Sequence, residues 1–236
     1  MSADNEKYKQ QAAERAVEFV QSNMIVGLGG GSTAIYAVRH IANLLQNGRL
    51  QNILGVPCSL KVEEEARRLG ISLTTLEEHP IIDLTIDGAD EVDDNLNLIK
   101  GRGGAHLREK IVALATRREM IVVDESKLSQ MLGTLAPVPV EVLPFGFSLQ
   151  TSYLESIGAQ VKLRKNEDGS IYLTDQNNYI LDCNFGPITH LEKLAEQLRG
   201  RAGIIEHGLF LGLATDLIVA GKAGIRHSRS RLTGDQ

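Results

Sequence analysis

Three observations predict an α/β fold. Short β-branched runs alternate with amphipathic helical stretches as far as residue 127, and glycines separate the first run from the first long helix. Between about residues 132 and 205 the alternation gives way to prolines, a hairpin signal and two helices. Alternating β and α elements make a mostly parallel sheet covered on both faces. The expected architecture is a Rossmann-like, mostly parallel sheet domain with an inserted small α+β domain. Its expected division is 1–131 plus 206–236 for the large domain and 132–205 for the small one.

Taken in order, Asp4 to Ser22 reads as a helix with Tyr8, Ala12, Ala16, Val17, Phe19 and Val20 on its apolar side. Met24 to Leu28 is a short strand that stops at Gly29-Gly30-Gly31, and a helix runs from about Ser32 to Gln46. Asn52 to Val56 and Leu60 to Leu69 repeat the unit. The apolar run Ile81 to Ile86 suits a buried strand and stops at the turn signal Asp87-Gly88, which leaves a carboxylate at a strand end. Asp90, Glu91, Asp93 and Asp94 follow in one short loop, and Leu96 to Ile99 then delivers Lys100 into the glycine-rich turn Gly101 to Gly104. From Ala105 to Thr116 the chain reads as helical, with Leu107, Ile111, Leu114 and Ala115 as its apolar stripe and Glu109 off the stripe, one turn in. Met120 to Val123 completes the alternation.

In the small domain, Pro137, Pro139 and Pro144 lead to a helix near Ser148 to Ser156. Gln160 to Leu163 pairs with Ile171 to Thr174 across the Asn166 to Gly169 turn, Tyr179 to Cys183 adds a strand, and a helix covers about Ile188 to Leu198. The runs Gly208 to Leu213 and Leu217 to Ala220 are expected to rejoin the large domain.

A net charge of −5 gives no electrostatic footprint for nucleic acid. The only basic cluster, Arg226 to Arg231, sits among Ser228, Ser230, Thr233 and Gly234 and reads as a disordered tail. Cys58 and Cys183 form no CxxC pair, which fits a reducing compartment and argues against a zinc site. No stretch approaches the roughly 18 apolar residues of a membrane span, and the polar start MSADNEKYKQ is unlike a secretory signal, so the expected location is the cytoplasm.

Three motifs carry chemistry. Gly27 to Thr33 sets glycines between a strand and a helix, where backbone N–H groups meet an anion and Ser32 and Thr33 donate or cap; a plain tight turn with a serine cap fits the same residues. No lysine follows the last glycine, so it is not a Walker loop. Ser32 stands where a dinucleotide fingerprint has its third glycine, and no acidic residue ends the second strand. Asp87, Asp90 and Glu91 can bind sugar hydroxyls, hold a metal or move protons, whereas Asp93 and Asp94 equally suit a solvated acidic turn. Lys100 can neutralise an oxyanion and Glu109 can serve as a general base, the plain alternative being surface ion pairs. Lys127, after the Met120 strand, is a further candidate or an ordinary surface lysine. The histidines form no ligand pair at helical spacing, so no metal is required.

These stretches together resemble ribose-5-phosphate isomerase of the A type. The resemblance rests on GLGGGSTA at 27–34, DGADEVD at 87–93, KGRGGAHLREK at 100–110 and DESK at 124–127, and it extends from about Lys9 to Ile225 with PVPVEVLPF at 137–145. It implies Glu109 as catalytic base, with Asp87, Asp90 and Lys100 completing the catalytic set around the sugar. It also implies substrate and phosphate contacts from Gly30, Gly31, Ser32, Thr33, Gly88, Ala89, Gly101, Arg102, Gly103 and Lys127. The implied reaction interconverts D-ribose 5-phosphate and D-ribulose 5-phosphate through a cis-enediolate, without metal or cofactor, in a homodimer or tetramer. Three residues depart from the family pattern: Gly30 where a threonine is expected, Arg102 where many members have glycine, and His106 where an apolar residue is usual. A non-catalytic sugar-phosphate sensor and an enzyme resembling acyl-CoA transferases, with a glutamate nucleophile, are the competing readings.

Overall fold

A computed structural model describes residues 3–230. The chain forms two units, one of Met1–Ala89, Arg108–Lys127 and Gly212–Gln236, the other of Asp90–Leu107 and Leu128–Leu211. No helix among the described residues is long and apolar enough to cross a membrane.

In the first unit the expected alternation appears as α1 (Ala3–Val17), β1 (Ile25–Leu28), α2 (Gly31–Gln46), β2 (Leu54–Pro57), α3 (Leu60–Arg68) and β3 (Leu84–Asp87). Later segments supply most of α4 (His106–Leu114), then β6 (Glu119–Asp124), β12 (Asp216–Gly221) and β13 (Gly224–Arg229). The sheet order is β13-β12-β6-β3-β1-β2, parallel except for β13. Its central strands are buried along their whole length, which suits the near-continuous Ile, Val and Leu runs that predict them. Ala12, Ala13 and Ala16 of α1 and Ala34, Ala37 and Ala42 of α2 pack in one core with Val26, Ile86 and Val122, the small residues letting helix backbones approach closely.

The second unit holds a four-stranded antiparallel sheet, β10-β7-β9-β8, of β7 (Val138–Val142), β8 (Gln160–Leu163), β9 (Tyr179–Asn184) and β10 (Ile204–His207). Its helices are α5 (Phe147–Ser156) and α6 (Leu191–Arg199). A second, three-stranded sheet joins β4 (Glu91–Val92), β5 (Leu98–Ile99) and β11 (Leu209–Phe210) in the order β11-β5-β4.

Several expectations are corrected. Asp90–Leu107 belongs with the second unit rather than the large domain because β4 and β5 pair with β11, and for the same reason Leu209–Phe210 does not rejoin the large sheet. Residues 171–174 form no strand: β8 pairs directly with β9, and one bridge, Lys165 to Ile171, is all that remains of the expected hairpin partner. Val138–Val142 is a fully buried strand despite Pro139. The α4 helix turns its expected stripe outward, with Ile111 and Leu114 exposed and Glu109, Lys110, Val112 and Ala113 buried. Asp93 is not solvated; it is buried, and its carboxylate accepts from the N–H groups of Asn95 and Asn97 and from the Asn97 side chain. Glu91, fully buried, accepts from the Ser129 hydroxyl and the backbone N–H groups of Gly133, Thr134 and Ala136, so it is a structural brace and not a site carboxylate.

The basic stretch expected to be a disordered tail forms β13 through Arg229, with residues 231–236 outside the described part. Asp216 holds it. This carboxylate accepts two hydrogen bonds from Arg118 (2.8 and 2.9 Å), one from the Thr215 hydroxyl (2.8 Å), and pairs with His227 of β13 at 2.6 Å. Burial alone raises such a carboxyl, but the bonds from Arg118, His227 and Thr215 outweigh it and hold Asp216 well below the usual carboxylate range. A depressed carboxyl adds stability that is present above its unfolded value of about 3.9 and is lost as pH falls toward the folded one. Asp216→Asn is therefore expected to cost about 3 kcal/mol at neutral pH. It should also flatten the loss of stability below about pH 4. Urea melts of both proteins across pH read this, and parallel acid limbs would contradict it.

Candidate active site

In the first unit the candidate groups gather at the carboxyl ends of β1, β2, β3 and β6, where α/β sheets place their ligands. Asp87 is the last residue of β3 and is buried. Its Oδ1 accepts from the N–H of Gly30 (3.0 Å) and of Gly88 (2.7 Å), so the carboxylate pins the glycine turn. Gly29 permits this approach: a Cβ there would stand 2.3 Å from the Ile86 carbonyl oxygen and 2.4 Å from Asp87 Oδ1. Gly30 is the N-cap of α2 and no side chain caps that helix end, so Ser32 and Thr33 do not take the capping role open to them. Gly31 and Ser32 are exposed and Thr33 is buried, in the first turn, where the helix presents backbone N–H donors and its positive end. Gly88 and Ala89 follow Asp87 and are half-buried. Lys127 ends a 3-10 turn after β6 and is half-buried.

Glu109 lies in the first turn of α4, buried at 8% exposure. One ligand atom each of Glu109, Asp87 and Cys58 lies within 4.8 Å of the others. No sequence motif marks Cys58, although it directly follows β2 and so stands at a strand end. Its position is fixed on both sides: its N–H donates to the Leu28 carbonyl (3.0 Å), and Ser59 caps α3 by accepting from the Val62 N–H (3.2 Å).

In the second unit the glycine turn carries the other candidates. Lys100 follows β5, its N–H donates to the Gly208 carbonyl (2.9 Å), and its Nζ stands 5.5 Å from the ring centroid of the buried Phe210. At 3% exposure Lys100 is buried, and its Nζ makes a cation–π contact with the aromatic face. Asp90 is half-buried and its Oδ2 accepts from the Arg102 N–H (2.8 Å). Gly101 has φ +104, and a Cβ there would meet His106 Nδ1 at 2.8 Å, so His106 sits directly beneath the turn. Fully buried, His106 has its Nε2 3.9 Å from Glu141 Oε2.

Two residues that no sequence pattern marks hold this turn from the outside. Arg164 donates from one terminal nitrogen to the carbonyls of Gly101 (2.8 Å) and Arg102 (3.1 Å) while its Nε binds Asp182 (2.9 Å). The Tyr172 hydroxyl donates to the Gly103 carbonyl (3.1 Å). Three successive carbonyls are thus turned toward side chains, which fixes the turn, while Arg102 and Gly103 stay exposed. Asp90, Arg102, Lys162, Arg164 and Asp182 line a cleft of about 400 Å³ beside it. Arg164→Ala is expected to lower kcat about 10- to 100-fold by letting the turn shift, since small displacements of catalytic groups carry costs of that size. Arg164→Lys should not restore it, because a lysine lacks the planar fork. Steady-state kinetics of both variants, with full activity in either, would remove Arg164 as a positioning residue.

A family model described as "Ribose 5-phosphate isomerase A (phosphoriboisomerase A)" matches residues 54–224. The chain belongs to this family. Its activity is that of ribose-5-phosphate isomerase A, which displaces the sensor and transferase readings. Ribose-5-phosphate isomerase A of Desulfatibacillum aliphaticivorans is 54% identical over 222 residues, covering 94% of this chain and 96% of that one. Among solved structures, ribose 5-phosphate isomerase from Plasmodium falciparum is similar with TM-score 0.92 and 41% identity, covering 96% of this chain and 99% of that one. A D-ribose-5-phosphate isomerase in complex with phospho-erythronic acid is similar with TM-score 0.93 and 35% identity, covering 97% of this chain and 100% of that one. A sugar phosphate is accordingly the isomerase's substrate, and the α/β architecture is the family's.

Proposed function

We propose that the isomerase interconverts D-ribose 5-phosphate and D-ribulose 5-phosphate by a single proton carrier, Glu109, working through a cis-enediolate. Aldose and ketose differ by a proton moved between C1 and C2, and one carboxylate takes it from one carbon and returns it to the other. The observation that carries this reading is the burial of Glu109 in the first turn of α4, with Asp87 and the glycine turn beside it at the strand ends. Lys100 supplies the cation for the enediolate oxygen. Asp87 and Asp90 orient sugar hydroxyls and assist ring opening, with Gly88, Ala89, Gly101, Arg102 and Gly103 shaping the contacts. The phosphate rests on Gly30, Gly31, Ser32 and Thr33 at the α2 N-terminus, with Lys127, and its binding energy positions the reacting carbons. The chemistry uses no metal or cofactor.

A homodimer or tetramer accompanies this reading, supported by exposed apolar side chains such as Leu114 and Phe145. Cytoplasmic location is supported by two buried cysteines that remain thiols. The test is turnover of ribose 5-phosphate in chelator with phospho-erythronic acid as competitor. That acid carries a planar carboxylate where the enediolate carries its charge. It should compete with substrate and bind at least ~100-fold more tightly, as analogues of the transition state do. Binding no tighter than substrate would remove the enediolate from the reading.

A further inference from the structure

Cys58, Asp87 and Glu109 reach one point from the ends of β2 and β3 and the first turn of α4, all within the first unit and all buried. A second observation concerns residue 30. The point where its Cβ would stand is 3.5 Å from Cys58 Sγ, 3.6 Å from Val62 Cγ2 and 3.7 Å from Glu109 Oε1, so glycine keeps a side chain from crowding these groups. The Gly30 N–H holds the third group, Asp87, at 3.0 Å. A thiol and two carboxylates are therefore gathered, buried, beside the glycine turn.

We propose that Cys58, Asp87 and Glu109 form an inhibitory site for a thiophilic divalent cation, of which Zn²⁺ and Cd²⁺ are the natural examples. One thiolate and two carboxylate oxygens, completed by water, are a tetrahedral donor set for these ions. Mg²⁺ and Ca²⁺ take six or more oxygen ligands and do not use sulfur. With Zn–S about 2.3 Å and Zn–O about 2.1 Å, neighbouring donors stand roughly 3.5 Å apart, so side-chain rotations of about an ångström close the set. On binding, the Cys58 S–H proton leaves to solvent as the sulfur–metal bond forms, and no electron is transferred. The two cysteines offer no CxxC spacing, and the set becomes visible only when β2, β3 and α4 are folded together. Inhibition rests on the reading of Glu109 as the base, since a carboxylate bonded to a cation cannot take a carbon-bound proton; metal binding itself does not rest on it.

The test titrates the full-length protein with Cd²⁺ in metal-free buffer, following the ultraviolet thiolate-to-cadmium charge-transfer band in one series and isomerase turnover in another. Among the described residues Cys58 and not Cys183 belongs to a group of three potential ligands, so Cys58 is the thiol the band reports. The expected result is one cation per chain, with the band saturating as turnover disappears and both effects reversed by EDTA. Cys58→Ser and Cys58→Ala should show no band. They should lose more than about 100-fold in affinity, since even a residue behind a ligand costs about 10- to 100-fold. Both should keep turning over at a Cd²⁺ concentration that silences the wild type, and Mg²⁺ should leave every protein unaffected. Equal Cd²⁺ sensitivity in the wild type and both variants overturns the site. So does one bound cation without a band. A band that saturates while turnover persists overturns the inhibitory role, and Glu109→Gln assayed without metal then decides separately whether Glu109 is the base.

Discussion

Glu109→Gln is expected to lower kcat at least ~10³-fold while KM changes by less than about threefold, the range that removal of a positioned general base produces. In free energy this is about 4 kcal/mol of transition-state stabilisation. Glutamine keeps the size and shape of the side chain, so the buried first turn of α4 has no cavity to absorb and the loss is chemical. The same variant should fail to exchange the C2 proton of ribose 5-phosphate with deuterated solvent, as read by proton NMR. If exchange continues at the wild-type rate while net conversion is slow, another group moves the proton and Glu109 acts elsewhere.

Lys100→Met is expected to lower kcat by about 10²- to 10³-fold, the size associated with losing one donor to a developing oxyanion. Methionine keeps an unbranched side chain of similar length and removes the charge. The ammonium lies 5.5 Å from the Phe210 ring, in a site where water does not screen it, so its effect on a charged intermediate is large. Affinity for phospho-erythronic acid should fall in step with kcat/KM, because the acid carries the same negative charge as the intermediate. A rise in KM with kcat intact would make Lys100 a ground-state contact instead. Lys100→Arg should not rescue, since the planar guanidinium neither fits the compact position nor donates as a point charge.

Much of the local structure around the candidate site is legible in the sequence. The apolar run that stops at Asp-Gly places Asp87 at a strand end, and it is the last residue of β3. The same local signal marks Gly29 to Gly31 as a strand-to-helix turn, and α2 begins at Gly31. Asp93 and Glu91 were harder, because an acidic residue in a loop looks the same in sequence whether it faces water or caps backbone N–H groups. The apolar stripe of α4 points to the wrong face, since Ile111 and Leu114 are exposed. Periodicity identifies which residues share a face, but here Glu109 and Lys110 are buried together with Val112 and Ala113, so hydrophobicity alone does not mark the buried face.

What the sequence by itself determined are the local features: the strand and helix alternation, the glycine turns, and the carboxylates and lysine placed at their ends. These follow from backbone preferences and short-range spacing, which a linear chain displays directly. Tertiary structure alone decided the pairing of β4 and β5 with β11, the hold of Arg164 and Tyr172 on the glycine turn, the ordering of β13 by Asp216, and the meeting of Cys58 with Asp87 and Glu109. Each of these joins residues far apart in the chain, and such contacts depend on which surfaces the packed sheets and helices bring together rather than on any pattern a single segment carries.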